Sequence, residues 1–320
     1  MKVKSKIIST GSYLPKKFLT NYDLEKTVDT TDSWIFERTG IKKRHLAAEN
    51  ELTSDIAFEA AKRALENSGL KAEEIDMIIL ATTTPDLTFP ATATKVQAKL
   101  NANSAFAFDI QAVCSGFVFA MATADNFIKS GQVKNALVIG ADVLSRIVDW
   151  KDRNTCVLFG DGAGAVVLQA TTEESSGIIS SDLHSDGSLN DILKTSGGPS
   201  SNQKSGFIEM AGKEVFKHAV DKMSKSVIAA LKKANLKVSD IDLLVPHQAN
   251  ARILSAVANR LELSEEKIIL TVENHANTSA ASIPLALDYA VKNNRVKKGN
   301  LVVLEALGGG LTWGSVVLKW

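Results

Sequence analysis

A segment near residue 70 recurs about 165 residues further along the chain. Leu70-Lys71-Ala72-Glu73-Glu74-Ile75-Asp76-Met77-Ile78-Ile79-Leu80 is echoed by Leu236-Lys237-Val238-Ser239-Asp240-Ile241-Asp242-Leu243-Leu244-Val245. A second echo has nearly the same spacing: Gly131, then Ala136-Leu137-Val138-Ile139-Gly140, against Gly299-Asn300-Leu301-Val302-Val303-Leu304. The offset is close to half of the 320 residues. Self-similarity of this kind marks a repeated structural unit. It restricts the chain to two copies of one βα-rich arrangement.

The pattern within the copies alternates strand with helix, so the class is α/β. Thr53–Ser68 reads as a helix that Thr53 or Ser54 caps and Gly69 ends. The apolar runs 75–81, 136–141, 163–168, 241–245, 301–306 and 314–318 read as buried strands. A helix is expected over Pro90–Leu100, with the proline in its first turn. Glu214–Ala234 is a long amphipathic helix, with Val215, Phe216, Ala219, Val220, Met223, Val227, Ile228 and Leu231 at helical spacing. The join is expected in the polar stretch 170–177, giving an N-terminal half, 1–172, and a C-terminal half, 173–320. Ser- and Gly-rich 195–206 reads as a surface loop near an entrance.

The net charge of +1 favours neither nucleic acid nor membrane, and no apolar run approaches the ~20 residues of a membrane helix. The N-terminus alternates like a strand and lacks the apolar core of a signal peptide. Two cysteines, Cys114 and Cys156, make no disulfide framework. A cytoplasmic location is expected. No CxxC or HExxH spacing occurs, so no metal site is expected.

Four segments could carry chemistry. Cys114 lies where the apolar run 104–108 gives way to a helical run, 115–129. A thiol at a helix start loses its proton more readily, and Gly116 would leave room for a substrate; a buried cysteine is also ordinary packing. His247, in Pro246-His247-Gln248-Ala249-Asn250, sits just past an apolar strand, where α/β folds bind ligands, although a single histidine is as readily structural. Asn277 precedes Thr278-Ser279-Ala280-Ala281-Ser282 and reads equally as a helix cap. Gly308-Gly309-Gly310 could turn backbone N–H groups toward a reacting oxygen, or simply make a turn. Gly160-Asp161-Gly162-Ala163-Gly164 runs into a strand and not a helix, which excludes a phosphate loop.

Taken together, these segments resemble the β-ketoacyl-acyl-carrier-protein synthase III family, the initiating condensing enzymes of type II fatty-acid synthesis. The resemblance spans the chain. It includes Thr31-Asp32-Ser33-Trp34-Ile35, Arg38-Thr39-Gly40-Ile41, Ala112 to Phe117, Asp152-Arg153, Phe159 to Ala165, Pro246 to Asn250, Asn277 to Ser282, and Gly308-Gly309-Gly310 with Thr312-Trp313-Gly314.

The resemblance implies a thiolase-like fold, two duplicated halves in five αβαβα layers, assembled as a homodimer. It implies decarboxylative condensation of a short acyl-CoA, by default acetyl-CoA, with malonyl-acyl-carrier protein, with no cofactor. Cys114 would carry the acyl group, and the backbone N–H groups of Cys114 and Gly309 would form the oxyanion hole. His247 and Asn277 would donate hydrogen bonds to the enolate. Trp34 and Arg153 would sandwich adenine, with Thr30, Arg38, Asn250 and Arg252 around the CoA. Phe89 would project into the partner subunit's acyl pocket, which Leu307 would also line. Acyl-carrier protein is acidic, so the helix lysines, Lys213, Lys217, Lys222, Lys225, Lys232 and Lys233, with Arg252 nearby, are expected to steer its docking, or else are a solvated face.

Leu307 and Leu311 stand where the family often has phenylalanine, and Val113 where it often has alanine. These departures bear on primer length and branching. A related condensing or acyl-transfer enzyme of secondary metabolism on the same fold is the alternative. A thiolase would need a second cysteine at the site, whereas Cys156 reads as core on a strand-like run, 155–159.

Overall fold

The computed structural model describes residues 3–320. In the first half the strands are β1 (Lys4–Tyr13), β2 (Lys17–Thr20), β3 (Lys43–Leu46), β4 (Met77–Ala81), β5 (Phe106–Ile110), β6 (Asn135–Asp142) and β7 (Gly162–Thr171). The helices are α1 (Asn21–Leu24), α2 (Asp32–Thr39), α3 (Thr53–Ser68), α4 (Thr92–Leu100), α5 (Gly116–Lys129) and α6 (Arg153–Cys156). The remainder contains β8 (Gly177–Ser185), β9 (Leu193–Thr195), β10 (Ile208–Met210), α7 (Gly212–Lys233), β11 (Leu243–Pro246), α8 (Ala251–Arg260), α9 (Val272–His275), α10 (Ser282–Lys292), β12 (Leu301–Gly308) and β13 (Thr312–Lys319).

Two large sheets share one design. The first has the order β1-β7-β6-β4-β5, and the second β8-β13-β12-β11. In each, the first two pairings are antiparallel and the third is parallel. The sequence echo has a physical cause. Asp76, just before β4, accepts the N–H groups of Lys134 and Asn135 at the start of β6. Asp242, just before β11, accepts the N–H of Leu301 at the start of β12. Both aspartates fix the register of a parallel pair.

Strand alternation sorts the core into layers. Met77, Ile79 and Ala81 of β4 face one cluster, and Ile78 and Leu80 face another. In β12, Val302, Leu304 and Ala306 join the same central cluster, while Leu301, Val303 and Leu307 face outward. The central cluster holds Phe117 and Met121 of α5 and Ile283 and Leu287 of α10. Helices α3 and α4 cover the first sheet and α7 and α8 the second. The result is the five-layered αβαβα stack of the thiolase-like fold. Strands buried on both faces explain the continuous apolar runs.

Some local expectations need correction. Helix α3 is not capped by Thr53 or Ser54; Leu52 is the cap residue, and Thr53 Oγ1 donates to the Thr84 carbonyl. Pro90 lies outside α4. The carboxylate of Asp109, on the neighbouring β5, accepts the N–H groups of Thr92 and Ala93 and starts the helix there. Cys156 is fully buried, but on the helical turn α6 rather than a strand. Arg44 is likewise fully buried; its guanidinium donates to the carbonyls of Leu19 and Val157 and to Asn21 Oδ1.

Candidate active site

Cys114 sits in a tight helical turn, Val113–Ser115, between β5 and α5. Val113 has φ +51°, a conformation that costs a β-branched residue of the order of 1–3 kcal/mol. The surroundings hold it there. Ser115 Oγ donates to the Ala112 carbonyl at 2.7 Å, and Thr312 Oγ1 donates to the same carbonyl at 2.9 Å. A Cβ on Gly308 would stand 2.6 Å from the Cys114 amide nitrogen, so only glycine lets β12 lie against the Cys114 backbone. Gly116 has a different role from the one expected. Its missing Cβ would stand 3.1 Å from Ala81 and 3.5 Å from Ala280, so it serves helix packing and not substrate access.

The thiol is buried, and burial pushes its pKa up to about 12. Desolvation of the charged form outweighs whatever the start of α5 contributes. Burial thus works against the readily formed thiolate that the helix start led one to expect.

His247 follows β11, and its backbone N–H donates to the Glu305 carbonyl at 2.8 Å. Gln248 locks the turn. Its Nε2 donates to the carbonyls of Pro246 and Ile269, and its Oε1 accepts the N–H groups of Thr271 and Val272. The His247 imidazole is fully buried, which lowers its pKa to about 3 and keeps it neutral. Its Nδ1 lies 2.7 Å from Ser282 Oγ.

Asn277 bridges the halves. Its N–H donates to the Leu158 carbonyl, its carbonyl accepts the Gly160 N–H, and it pairs with Phe159 in a parallel bridge. Its Oδ1 accepts the Ser279 N–H at 2.9 Å, as a helix cap would, but α10 begins only at Ser282. That contact fixes the amide with its Nδ2 hydrogens left to the cavity. Ala276 and Ser279, on either side, have φ +60° and +52°. Buried Asp142, at the end of β6, anchors this loop by accepting the Ala280 N–H and also the hydroxyls of Thr82 and Thr83.

Cys114, His247 and Asn277 line one cavity of about 680 Å³, together with Arg38, Asn250, Arg252, Lys213 and Leu307. Its apolar wall is Leu144, Ile147, Phe159, Leu193, Ile208 and Met210. Thr30, Trp34, Arg153, Phe89, Gly309 and Lys217 do not line it. Phe89 is 82% exposed on a loop. Two guanidinium groups pack on Trp34, with Arg38 4.5 Å and Arg153 4.9 Å from the ring centroid. Arg153 also donates to the Asp29 carbonyl at 2.7 Å. A guanidinium packed that closely leaves no gap for an intervening ring, since stacked aromatic centroids already lie 4.5–7 Å apart.

The helix lysines divide. Lys222 pairs with Asp186 and lies over Trp313, Lys225 pairs with Asp221, and Lys233 with Asp182. Lys213 and Lys217 are exposed on α7, and neither makes an ion pair among the described residues. The expected basic face is thus narrower than the sequence indicates. Ser279, Ser282, Gln248, Asp142 and Thr312 were not singled out by sequence; their signal is a polar residue inside an otherwise apolar motif.

A buried cysteine, a neutral imidazole and an oriented amide on this fold define a condensing acyltransferase of the thiolase-like class. Family models for 3-oxoacyl-[acyl-carrier-protein] synthase III match residues 108–187, and for its C-terminal part residues 231–320. The chain belongs to the 3-oxoacyl-[acyl-carrier-protein] synthase III family. It is 58% identical to β-ketoacyl-[acyl-carrier-protein] synthase III of Ehrlichia canis, over 99% of each chain. It is 60% identical to the Wolbachia pipientis protein of the same name, again over 99% of each. The crystal structure of 3-oxoacyl-[acyl-carrier-protein] synthase III from Aquifex aeolicus superposes with a TM-score of 0.94 at 51% identity, over 99% of this chain and 100% of that one.

Proposed function

We propose that this enzyme joins a short acyl-CoA, acetyl-CoA by default, to malonyl-acyl-carrier protein, and that the convergence of Cys114, His247 and Asn277 on one cavity carries that reading. The Cys114 thiol attacks the primer thioester. The acyl group passes to sulfur, and CoA leaves with the proton as a free thiol. Backbone N–H groups of Cys114 and Gly309 hold the oxyanion, each donor worth about 10²–10³ in rate.

Malonyl-acyl-carrier protein then loses carbon dioxide. The resulting enolate oxygen accepts hydrogen bonds from the His247 imidazole and the Asn277 amide, both neutral groups whose interaction strengthens only as charge develops. The enolate carbon attacks the acyl-Cys114 carbonyl, and the sulfur leaves and regains a proton. Loss of carbon dioxide supplies the carbanion, so no carboxylate base is required beside the sulfur, and none of the chemistry calls for a cofactor.

CoA is taken to lie along Arg38, Asn250 and Arg252, with Thr30 nearby and its adenine on Trp34. Arg153 swings off the indole to admit the ring; its exposed pairing with Asp29 costs little to break. Lys213, Lys217 and Arg252 offer the carrier protein a basic landing at the cavity mouth. A second copy of the chain is taken to pair along the free edge of β5. There Phe106, Phe108 and Phe127 form an aromatic cluster, with Phe106 44% exposed. That arrangement would bring Phe89 toward the partner's acyl pocket. Site and partners together fit a cytoplasmic enzyme built on halves 1–172 and 173–320.

The test combines mass spectrometry with a decarboxylation assay. Wild type should gain one acetyl group on Cys114 from acetyl-CoA, and Cys114→Ser none. His247→Ala and Asn277→Ala should acylate but fail to decarboxylate malonyl-acyl-carrier protein. Loss of acylation in His247→Ala would refute this division of roles.

A further inference from the structure

Donation by His247 requires a proton on the nitrogen that faces the cavity, and the imidazole by itself does not decide which nitrogen carries it. Its other side does. Nδ1 meets Ser282 Oγ at 2.7 Å, and the same oxygen accepts the Gln248 backbone N–H at 3.3 Å. Both side chains are buried. A serine hydroxyl has one proton and two lone pairs. If it accepted from Nδ1–H as well as from Gln248, both lone pairs would be used and its own proton would lack an acceptor, since Ser282 Oγ has no other partner among the described residues. An unpaired buried donor costs about 1–3 kcal/mol. With the hydroxyl proton directed at Nδ1, every group is satisfied and the imidazole proton sits on Nε2.

We propose that Ser282 is a positioning residue that fixes His247 as its Nε2–H tautomer, a hydrogen-bond donor toward the cavity. This rests on the reading that His247 donates to the malonyl thioester oxygen. It also follows that Nε2 cannot accept the Cys114 proton, which separates the imidazole from the acylation step. The resting residue is neutral in either state of Ser282, so the serine acts on the place of a proton and not on the charge.

Nitrogen NMR of the full-length enzyme labelled in its histidine rings tests the proposal, with His247 assigned by comparison with His247→Gln. Wild type should show protonated Nε2 and bare Nδ1; protonated Nδ1 overturns the proposal before any serine variant is made. In Ser282→Ala the Nε2–H signature should weaken. Its kcat for condensation should fall about ten- to a hundredfold, the range that loss of the partner orienting a metal-bound histidine costs. Acylation of Cys114 by acetyl-CoA should stay within about twofold. A Ser282→Ala enzyme that keeps the Nε2–H pattern, or condenses at the wild-type rate, overturns it. Failure of the underlying reading looks different: His247→Ala would then decarboxylate normally whatever the tautomer in wild type.

Discussion

Replacing Gly308 by alanine probes the Cys114 turn without altering any side chain of the proposed site. The new Cβ would lie 2.6 Å from the Cys114 nitrogen, 2.9 Å from the Ala112 carbonyl oxygen and 3.0 Å from the Ser115 nitrogen, against 3.4 Å for ordinary contact. Every one of these is a backbone atom, so no side chain can rotate away. Relief at Cys114 alone requires a movement of about 0.8 Å, the shortfall between those two distances. The turn resists it, because Ser115 and Thr312 both hold the Ala112 carbonyl. Misplacing a reacting group by about 1 Å can cost 10²-fold in rate, so acylation should slow by ten- to a hundredfold. Overpacking should also cost about 1–3 kcal/mol of stability. The assay is quenched single-turnover transfer from acetyl-CoA, read as acetyl-Cys114 by mass spectrometry, with thermal unfolding alongside. Wild-type acylation and an unshifted Tm in Gly308→Ala would refute the argument that this glycine sets the sulfur's position.

Glu305 gives a stability prediction. Burial pushes its pKa up to about 8 from the ordinary 4.5. Between those values the folded enzyme keeps a proton that the unfolded chain has released, so stability falls as pH rises from 4.5 toward 8, by up to about 1.4 kcal/mol per unit. Glu305→Gln should flatten that decline in urea unfolding; parallel curves for the two proteins would contradict it. Charge reversal at Lys213 and Lys217 should raise KM for acyl-carrier protein at low salt and leave primer transfer from CoA unaltered, and an unchanged carrier-protein KM would remove the docking face. Arg153→Ala should raise KM for acetyl-CoA but not for a CoA-truncated thioester lacking the adenine, as a group that closes over the ring requires; an equal shift for both in steady-state kinetics would contradict it.

The doubling of the chain was legible because Asp76 and Asp242 perform one task in both sheets, so selection of one residue type left a readable echo. The strands were legible because burial on both faces demands unbroken apolar runs. The start of α3 at Thr53 was legible too, but the groups that cap the helices were not. The acceptor that starts α4 is Asp109, seventeen residues away in sequence from Thr92, and no local pattern contains it. The site divides in the same way. Cys114, His247 and Asn277 stood out by their neighbours in sequence, whereas the contacts that orient them come from elsewhere: Thr312 beside the Cys114 turn, Ser282 beside the imidazole, Asp142 beneath the Asn277 loop. The state of the sulfur was misjudged because helix ends can be seen in a sequence and depth cannot.

The bridge between Phe159 and Asn277 ties the segment leading into β7 to the loop that opens α10. The sulfur belongs to one copy of the ancestral motif, the imidazole and amide to the other. Neither copy, expressed by itself, would bring Cys114, His247 and Asn277 to one cavity, so each half is hostage to the other's fold.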